Sequence, residues 1–215
     1  VTINGIPYND AESQGTFWVN LPDFASSVET IQLQRGVGTS TNGSAAFGAS
    51  LNLETDAIQK EAFTSLASSF GSFNTFKNTL KFSTGILNDH FTFSGRLSQI
   101  NSDGYVDRAS SNLDAYYLQA TFKDENTLIK ALVFGGQEIT YQSWYGLDPI
   151  TLVSDRTYNP AGEIYNNGIR TSFYDNQVDN YSQQHYQFHW NEKLSLKWNF
   201  SLGLNRSEST RLNSS

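Results

Sequence analysis

Leu194-Ser-Leu-Lys-Trp-Asn-Phe-Ser-Leu-Gly-Leu204 alternates without a break: Leu194, Leu196, Trp198, Phe200, Leu202 and Leu204 are apolar, and the residues between them are polar or small. Successive side chains of a β-strand point to opposite faces, so the stretch predicts a long strand with one wholly apolar face. The pattern recurs upstream. Phe76, Leu80, Phe82 and Ile86 oppose Lys77, Thr79, Lys81 and Ser83, with Asn78 interrupting the apolar side. Phe91, Phe93 and Leu97 oppose Thr92, Ser94, Arg96 and Ser98, and Tyr116, Leu118 and Phe122 oppose Tyr117, Gln119 and Thr121. Less regular strands over 61–70, 127–142 and 181–190 bring the expected number to seven.

The connections alternate in length. Asn88-Asp89, Asp124 to Asn126 and Asn191 to Lys193 read as tight polar turns. Between them lie Gly71 to Asn74, then Ser102 to Leu113, then Ser143 to Asn180. Short turns on one side and long loops on the other are the layout of an outer-membrane β-barrel. A soluble carbohydrate-binding β-sandwich with an aromatic platform is the alternative of another class, and in it the apolar faces would meet in the middle.

Composition sets the outer limits. The 215 residues include 15 Phe, 11 Tyr, 4 Trp and 16 Gly against 4 Pro, which favours strands joined by glycine turns. With no cysteine, disulfide frameworks, thiolate metal sites and cysteine nucleophiles are excluded. No run of eighteen apolar residues occurs, so no transmembrane helix is expected, which leaves barrel strands untouched as a possibility. A net charge of −7 argues against nucleic acid as a partner. No methionine is present and Val1 reads as mid-strand, so the chain is expected to be a piece of a longer protein. Residues 1–57 have a different grammar, with short apolar runs at Val1 to Ile6, Val28 to Gln34 and Ala49 to Leu53 between loops rich in Gly, Ser, Asn and Asp.

That first segment carries a resemblance. Val1-Thr-Ile-Asn-Gly-Ile-Pro-Tyr-Asn-Asp10, Phe17-Trp-Val-Asn-Leu-Pro-Asp23, Val28-Glu-Thr-Ile-Gln-Leu-Gln-Arg-Gly36, and Asn42-Gly43 through Phe47-Gly-Ala-Ser-Leu-Asn52 resemble the latter part of the plug of TonB-dependent outer-membrane receptors. Asn42 stands where many members have Tyr. Gly71-Ser-Phe-Asn-Thr75, Ser102-Asp-Gly-Tyr105 and Arg156-Thr-Tyr-Asn-Pro-Ala-Gly162 are similar to early barrel segments of such receptors, particularly those of Bacteroidetes. The resemblance implies a mainly β chain: residues 1–57 the C-terminal part of the plug, and residues 58–215 about seven antiparallel strands of an incomplete transmembrane barrel. Barrels of this size have about 22 strands. It implies a place in the outer membrane of a Gram-negative bacterium, contact with its lipid, coupling to TonB through an N-terminal box absent here, and import of a small-molecule ligand such as an iron chelate. Importers of glycan, peptide, haem and cobalamin share the same plug grammar.

Site residues follow from the same source. Thr41, Asn42, Gly43 and Ser44 would form the plug apex facing the ligand, or else a plain structural turn. Arg35 matches the family's inward plug arginine, which pairs with barrel carboxylates and locks the plug; the bland reading is a surface arginine. The long third loop gathers Trp144, Tyr145, Arg156, Tyr158, Tyr165 and Arg170 with Tyr141, Phe173 and Tyr174, aromatic faces and cations suited to planar chelates or sugar rings. A membrane-interface girdle is the other reading for aromatics, better suited to Trp190 and Trp198, and a possible one for Tyr141. His185 and His189 share a strand face about 13 Å apart, too far for one metal ion. Neither a metal site, a cofactor site nor a catalytic constellation is expected.

Overall fold

A computed structural model describes residues 1–8, 15–36, 48–55 and 57–213. Residues 1–55 build a small four-stranded sheet of β1 (Thr2–Ile3), β2 (Ile6–Pro7), β3 (Val28–Arg35) and β4 (Ala49–Thr55), in the order β2-β1-β4-β3. The run Val1 to Ile6, expected as one strand, is instead a tight hairpin. Asn4 and Gly5 both take positive φ, 53° and 78°, which is the two-residue turn an Asn-Gly pair favours. β1 runs parallel to β4, with Thr2 opposite Asn52, while β3 and β4 are antiparallel. Two short 3-10 turns, Trp18–Asn20 and Phe24–Ser27, lie between β2 and β3.

The long sheet has seven strands: β5 (Ala62–Phe70), β6 (Phe76–Thr84), β7 (Phe91–Ser102), β8 (Ser111–Lys123), β9 (Thr127–Tyr141), β12 (Val178–Lys193) and β13 (Asn199–Asn213). Each pairs antiparallel with its neighbours in the order β13-β12-β9-β8-β7-β6-β5. Within the loop between β9 and β12 lie a helix α1 (Pro149–Ser154) and a hairpin of β10 (Glu163–Asn166) and β11 (Ile169–Phe173).

The boundary between the last two strands differs most from expectation, while β8 and β12 begin a few residues earlier than expected, at Ser111 and Val178. The turn forms at 194–198, after β12 has run on to pair Lys193 with Asn199. Ser195 explains the displacement, because its backbone N–H donates to Trp198 O at 3.1 Å and its hydroxyl accepts from the N–H groups of Lys197 and Trp198. Leu194, Leu196 and Trp198 therefore sit in the turn, and the apolar ladder of β13 starts at Phe200. At Asn88-Asp89 the expected tight turn is present, with φ of 48° and 62°.

The two faces of the long sheet differ in what covers them. Leu66, Phe93, Leu97, Leu118, Tyr186, Leu202 and Leu204 on one face are exposed. On the other, Thr92, Arg96, Tyr117, Gln119, Phe134, His185 and Gln187 are buried. The N-terminal unit lies against that second face: Ile3, Leu21, Phe24 and Leu53 pack with Tyr117, Leu132 and Phe134 in one cluster. No second sheet lies against the apolar face among the described residues, so the sandwich is excluded. The 71–75, 103–110 and 142–177 connections share one end, where Asn74 donates to Asp103 at 2.6 Å and the Asp107 N–H to Thr157 O at 2.8 Å.

Candidate functional site

Alternation of β6 and β7 aims Lys77 and Arg96 at the N-terminal unit, and both meet Asp23. Arg96 Nη1 lies 2.7 Å from Asp23 Oδ2 and Lys77 Nζ 2.6 Å from Asp23 Oδ1. Arg96 also donates to the hydroxyls of Ser27 and Ser98 at 2.7 Å, and Lys77 to Ser26 at 3.2 Å. Arg96 is 1% exposed, so this charge is compensated inside the molecule. Burial pushes the Asp23 carboxyl up; hydrogen bonds from Lys77, Ser26 and Ser98 and the Arg96 charge outweigh it and hold the group below the ordinary carboxylate value. Nearby, Thr55 accepts from Tyr117 at 2.8 Å, the Phe24 and Phe134 rings meet at a tilt with centroids 5.0 Å apart, and a Cβ on Gly136 would meet Pro22 at 2.8 Å.

Arg35, the expected lock, is exposed at the end of β3 opposite Ala49. Among the described residues, Asp23 of the N-terminal unit pairs with two cations of the sheet, Lys77 and Arg96. Alternation placed Lys77 and Arg96 on the polar face, but nothing in the sequence marked Asp23 as their partner. The apex residues Thr41, Asn42, Gly43 and Ser44 lie outside the described residues.

At the end of the long loops, Tyr158, Tyr165 and Arg170 converge on a residue that sequence reading passed over, Glu163. Arg170 lies 3.4 Å from the Glu163 carboxylate, Tyr165 donates to it at 2.9 Å, and Tyr158 donates to it as well. The hydrogen bond to Glu163 raises the pKa of the Tyr165 hydroxyl. Arg170 also donates to Tyr158 Oη at 2.8 Å and lies 5.0 Å from the Phe173 ring, against which Arg108 packs at 3.5 Å. Tyr145, Tyr165, Tyr174, Pro160 and Glu163 line a cleft of about 480 Å³. Trp144 is 70% exposed and meets Tyr145 edge-on at 6.3 Å, and Arg156 is exposed apart from the cluster. Tyr141 is buried and donates to Tyr174 O at 2.7 Å. Asp148 caps α1, accepting from the N–H groups of Ile150 and Thr151.

Asn159 fixes this arrangement. It is 1% exposed, donates to Asp107 O and Gln142 O at 3.0 and 2.9 Å, and accepts from the Ala161 N–H at 3.0 Å. Arg108, at φ 60°, donates to Asn159 O. Two loops are thereby joined into one surface presenting tyrosine rings around a carboxylate whose charge Arg170 offsets. Such a surface offers ring faces and hydroxyls rather than a strong net charge.

No protein-family model matches the chain, and no curated protein matches it. Solved structures do. The ferric-catecholate import receptor Fiu of E. coli K12, in its open form, superposes with a TM-score of 0.71 at 13% identity over 97% of this chain and 31% of that one. The ferripyoverdine receptor of the Pseudomonas aeruginosa outer membrane, bound to ferripyoverdine, gives 0.70 at 13% identity over 95% of this chain and 27% of that one. Unliganded ferric citrate transporter FecA gives 0.69 at 15% identity over 97% and 31%. This chain has the fold of a TonB-dependent receptor. It spans about a third of the length of those receptors or less. In the terms of that fold the N-terminal unit corresponds to part of a plug and the long sheet to part of a barrel wall, and the Asp23 cluster joins the two units.

Proposed function

We propose that the protein to which this chain belongs imports a scarce nutrient complex across the outer membrane of a Gram-negative bacterium, with a ferric siderophore as cargo. The observation that carries this reading is the two-sided wall, apolar and bare on one face, polar and filled by the plug on the other. A bare apolar face calls for lipid, because strands in hydrocarbon need their backbone groups paired and their outward side chains apolar. In this proposal residues 1–57 act as plug and residues 58–215 as wall. Cargo is captured outside by Trp144, Tyr145, Tyr158, Tyr165, Arg156 and Arg170 and by the apex Thr41, Asn42, Gly43 and Ser44. TonB, pulling on a plug segment upstream of Val1, then frees the passage, and Arg35 adds to the hold on the plug. The likeness to receptors whose names specify ferric catecholate, ferripyoverdine and ferric citrate supports iron as the cargo.

The test is uptake of radiolabelled iron, supplied as catecholate, hydroxamate and citrate chelates, by iron-starved cells with and without the full-length gene. At least one chelate is expected to enter only in cells that hold the gene, and to stop entering when a protonophore collapses the inner-membrane gradient. Equal uptake of every chelate in both strains overturns iron as cargo. Loss of haem, cobalamin, peptide or glycan uptake in the deletion strain then names the replacement.

A further inference from the structure

The end of the molecule that carries the long loops is short of free positive charge. Over 103–110 and 142–177, the carboxylates of Asp103, Asp107, Asp148, Asp155, Glu163 and Asp175 stand against the guanidinium groups of Arg108, Arg156 and Arg170, six against three. Two of those cations are engaged within the fold. Arg108 packs on the Phe173 ring at 3.5 Å and donates to the carbonyls of Asn159 and Ala161. Arg170 lies 3.4 Å from the Glu163 carboxylate, which also accepts from Tyr165 at 2.9 Å and from Tyr158, and the Glu163 side chain is only 14% exposed. Among the described residues no cation lines the adjoining cleft of about 480 Å³, where Glu163 and Gln177 sit with Tyr145, Tyr165 and Tyr174. Those three tyrosines are each more than half exposed, so their rings are open to a guest.

We propose that Glu163 sets the charge of the cargo: by neutralising Arg170 it fits the cleft to an iron(III) chelate of no net charge, a tris-hydroxamate, against a polyanionic one, a tris-catecholate. The inference rests on the import reading and adds the chemical class of the chelate. Three hydroxamate monoanions balance the charge of the metal, whereas three catecholate dianions exceed it. A neutral complex offers an apolar and amide-bearing periphery, which tyrosine faces and hydroxyls and the Gln177 amide can meet. A polyanion finds a masked cation and an excess of carboxylates, and like charges brought together are costly. Selection of this kind needs a repulsive element as well as an attractive one, and Glu163 supplies it while also screening Arg170.

Binding of the two radiolabelled iron chelates to the purified full-length receptor tests the assignment. At low salt the native receptor is expected to hold the tris-hydroxamate about tenfold more tightly than the tris-catecholate. Glu163→Gln keeps an acceptor for the two tyrosines and uncovers Arg170, so tris-catecholate binding should strengthen several-fold while tris-hydroxamate binding changes little. That gain should vanish at high salt, which screens exposed charges, and in the double variant Glu163→Gln, Arg170→Gln. A merely structural role for Glu163 would instead weaken both chelates alike at every salt concentration, and the proposal would fall. It falls too if the native receptor prefers the tris-catecholate, or if Glu163→Gln leaves the preference as it was; iron import stands in both cases. Binding of neither chelate, nor of the citrate chelate, removes iron as cargo and the selection with it.

Discussion

Asp23 sits where four cationic or hydroxyl side chains converge, those of Lys77, Arg96, Ser26 and Ser98, and its behaviour can be stated residue by residue. Exchanging Arg96 for Met keeps the bulk and removes the charge, leaving Asp23 with Lys77 as its one cationic partner among the described residues. Loss of one partner from a buried pair costs about 3–5 kcal/mol, and the surviving Lys77 contact puts this change at the low end. Amide hydrogen exchange over 21–28 in the full-length receptor should quicken accordingly; unchanged protection would show that the cluster does not hold the plug. Its pH dependence has a definite sign. A carboxyl whose folded pKa lies below its unfolded one stabilises the folded state above the unfolded value, about 3.9, and loses that contribution only as pH falls through the lowered folded value. Protection of 21–28 should thus stay level from about pH 7 to about pH 5 and drop only below about pH 4. Loss of protection in the upper range would mean that another group governs docking. Asn159 offers a separate case, since Asn159→Ala strips three hydrogen bonds from a buried junction at roughly 1 kcal/mol each. Exchange in both joined loops should rise together. The sequence made Arg96 legible as a polar-face residue, because a period of two needs only its neighbours. Its partner is 73 residues away, a pairing set by how the plug seats and not by any local spacing. Glu163 escaped for the same reason: a lone carboxylate in a tyrosine-rich loop carries no signal until the β10–β11 hairpin folds it against Arg170.

Strands were the most legible elements, since one covered face and one bare face impose alternation along each of them. Where expectation slipped, local turn chemistry had prevailed over pattern. Asn4-Gly5 closed a hairpin inside an apolar run, and the Ser195 hydroxyl drew the turn to 194–198 although alternation ran straight through it. The lipid-side assignment makes a quantitative demand. Leu118 lies mid-way along the apolar ladder of β8, from Tyr116 to Phe122, and faces outward. Leu118→Arg should cost about 2–4 kcal/mol in folding into lipid vesicles, as expected for arginine near the bilayer midplane. Ser201→Arg, on the opposite face of β13, should cost far less, and equal costs would remove the distinction between lipid and lumen. Gly136 tests the inner face. A methyl there meets Pro22 and the β8 backbone, so Gly136→Ala should cost about 1–3 kcal/mol by overpacking. It should also loosen 21–28 while leaving exchange in β6 unaltered.

The seven strands form an open sheet, with β5 and β13 at its edges and no second partner for either among the described residues. Each edge presents a row of unpaired backbone groups, and the outer face between them exposes Leu66 at 74%, Phe70 at 78% and Leu204 at 54%. In water such a surface associates with copies of itself, and in hydrocarbon an open edge leaves polar backbone unsatisfied. The net charge of −7 does not alter this, because repulsion spread over the molecule does not fill an edge or cover an apolar band. The plug contributes a core, but on the inner side only, and leaves both edges as they are. Residues 1–215 expressed alone should therefore aggregate in water and, in detergent, lack the heat-resistant mobility of a closed barrel, whereas the full-length receptor should show it. A soluble, monodisperse 1–215 with a single sharp unfolding transition would mean that the apolar faces had found each other, and the wall, the plug and the passage between them would fall together.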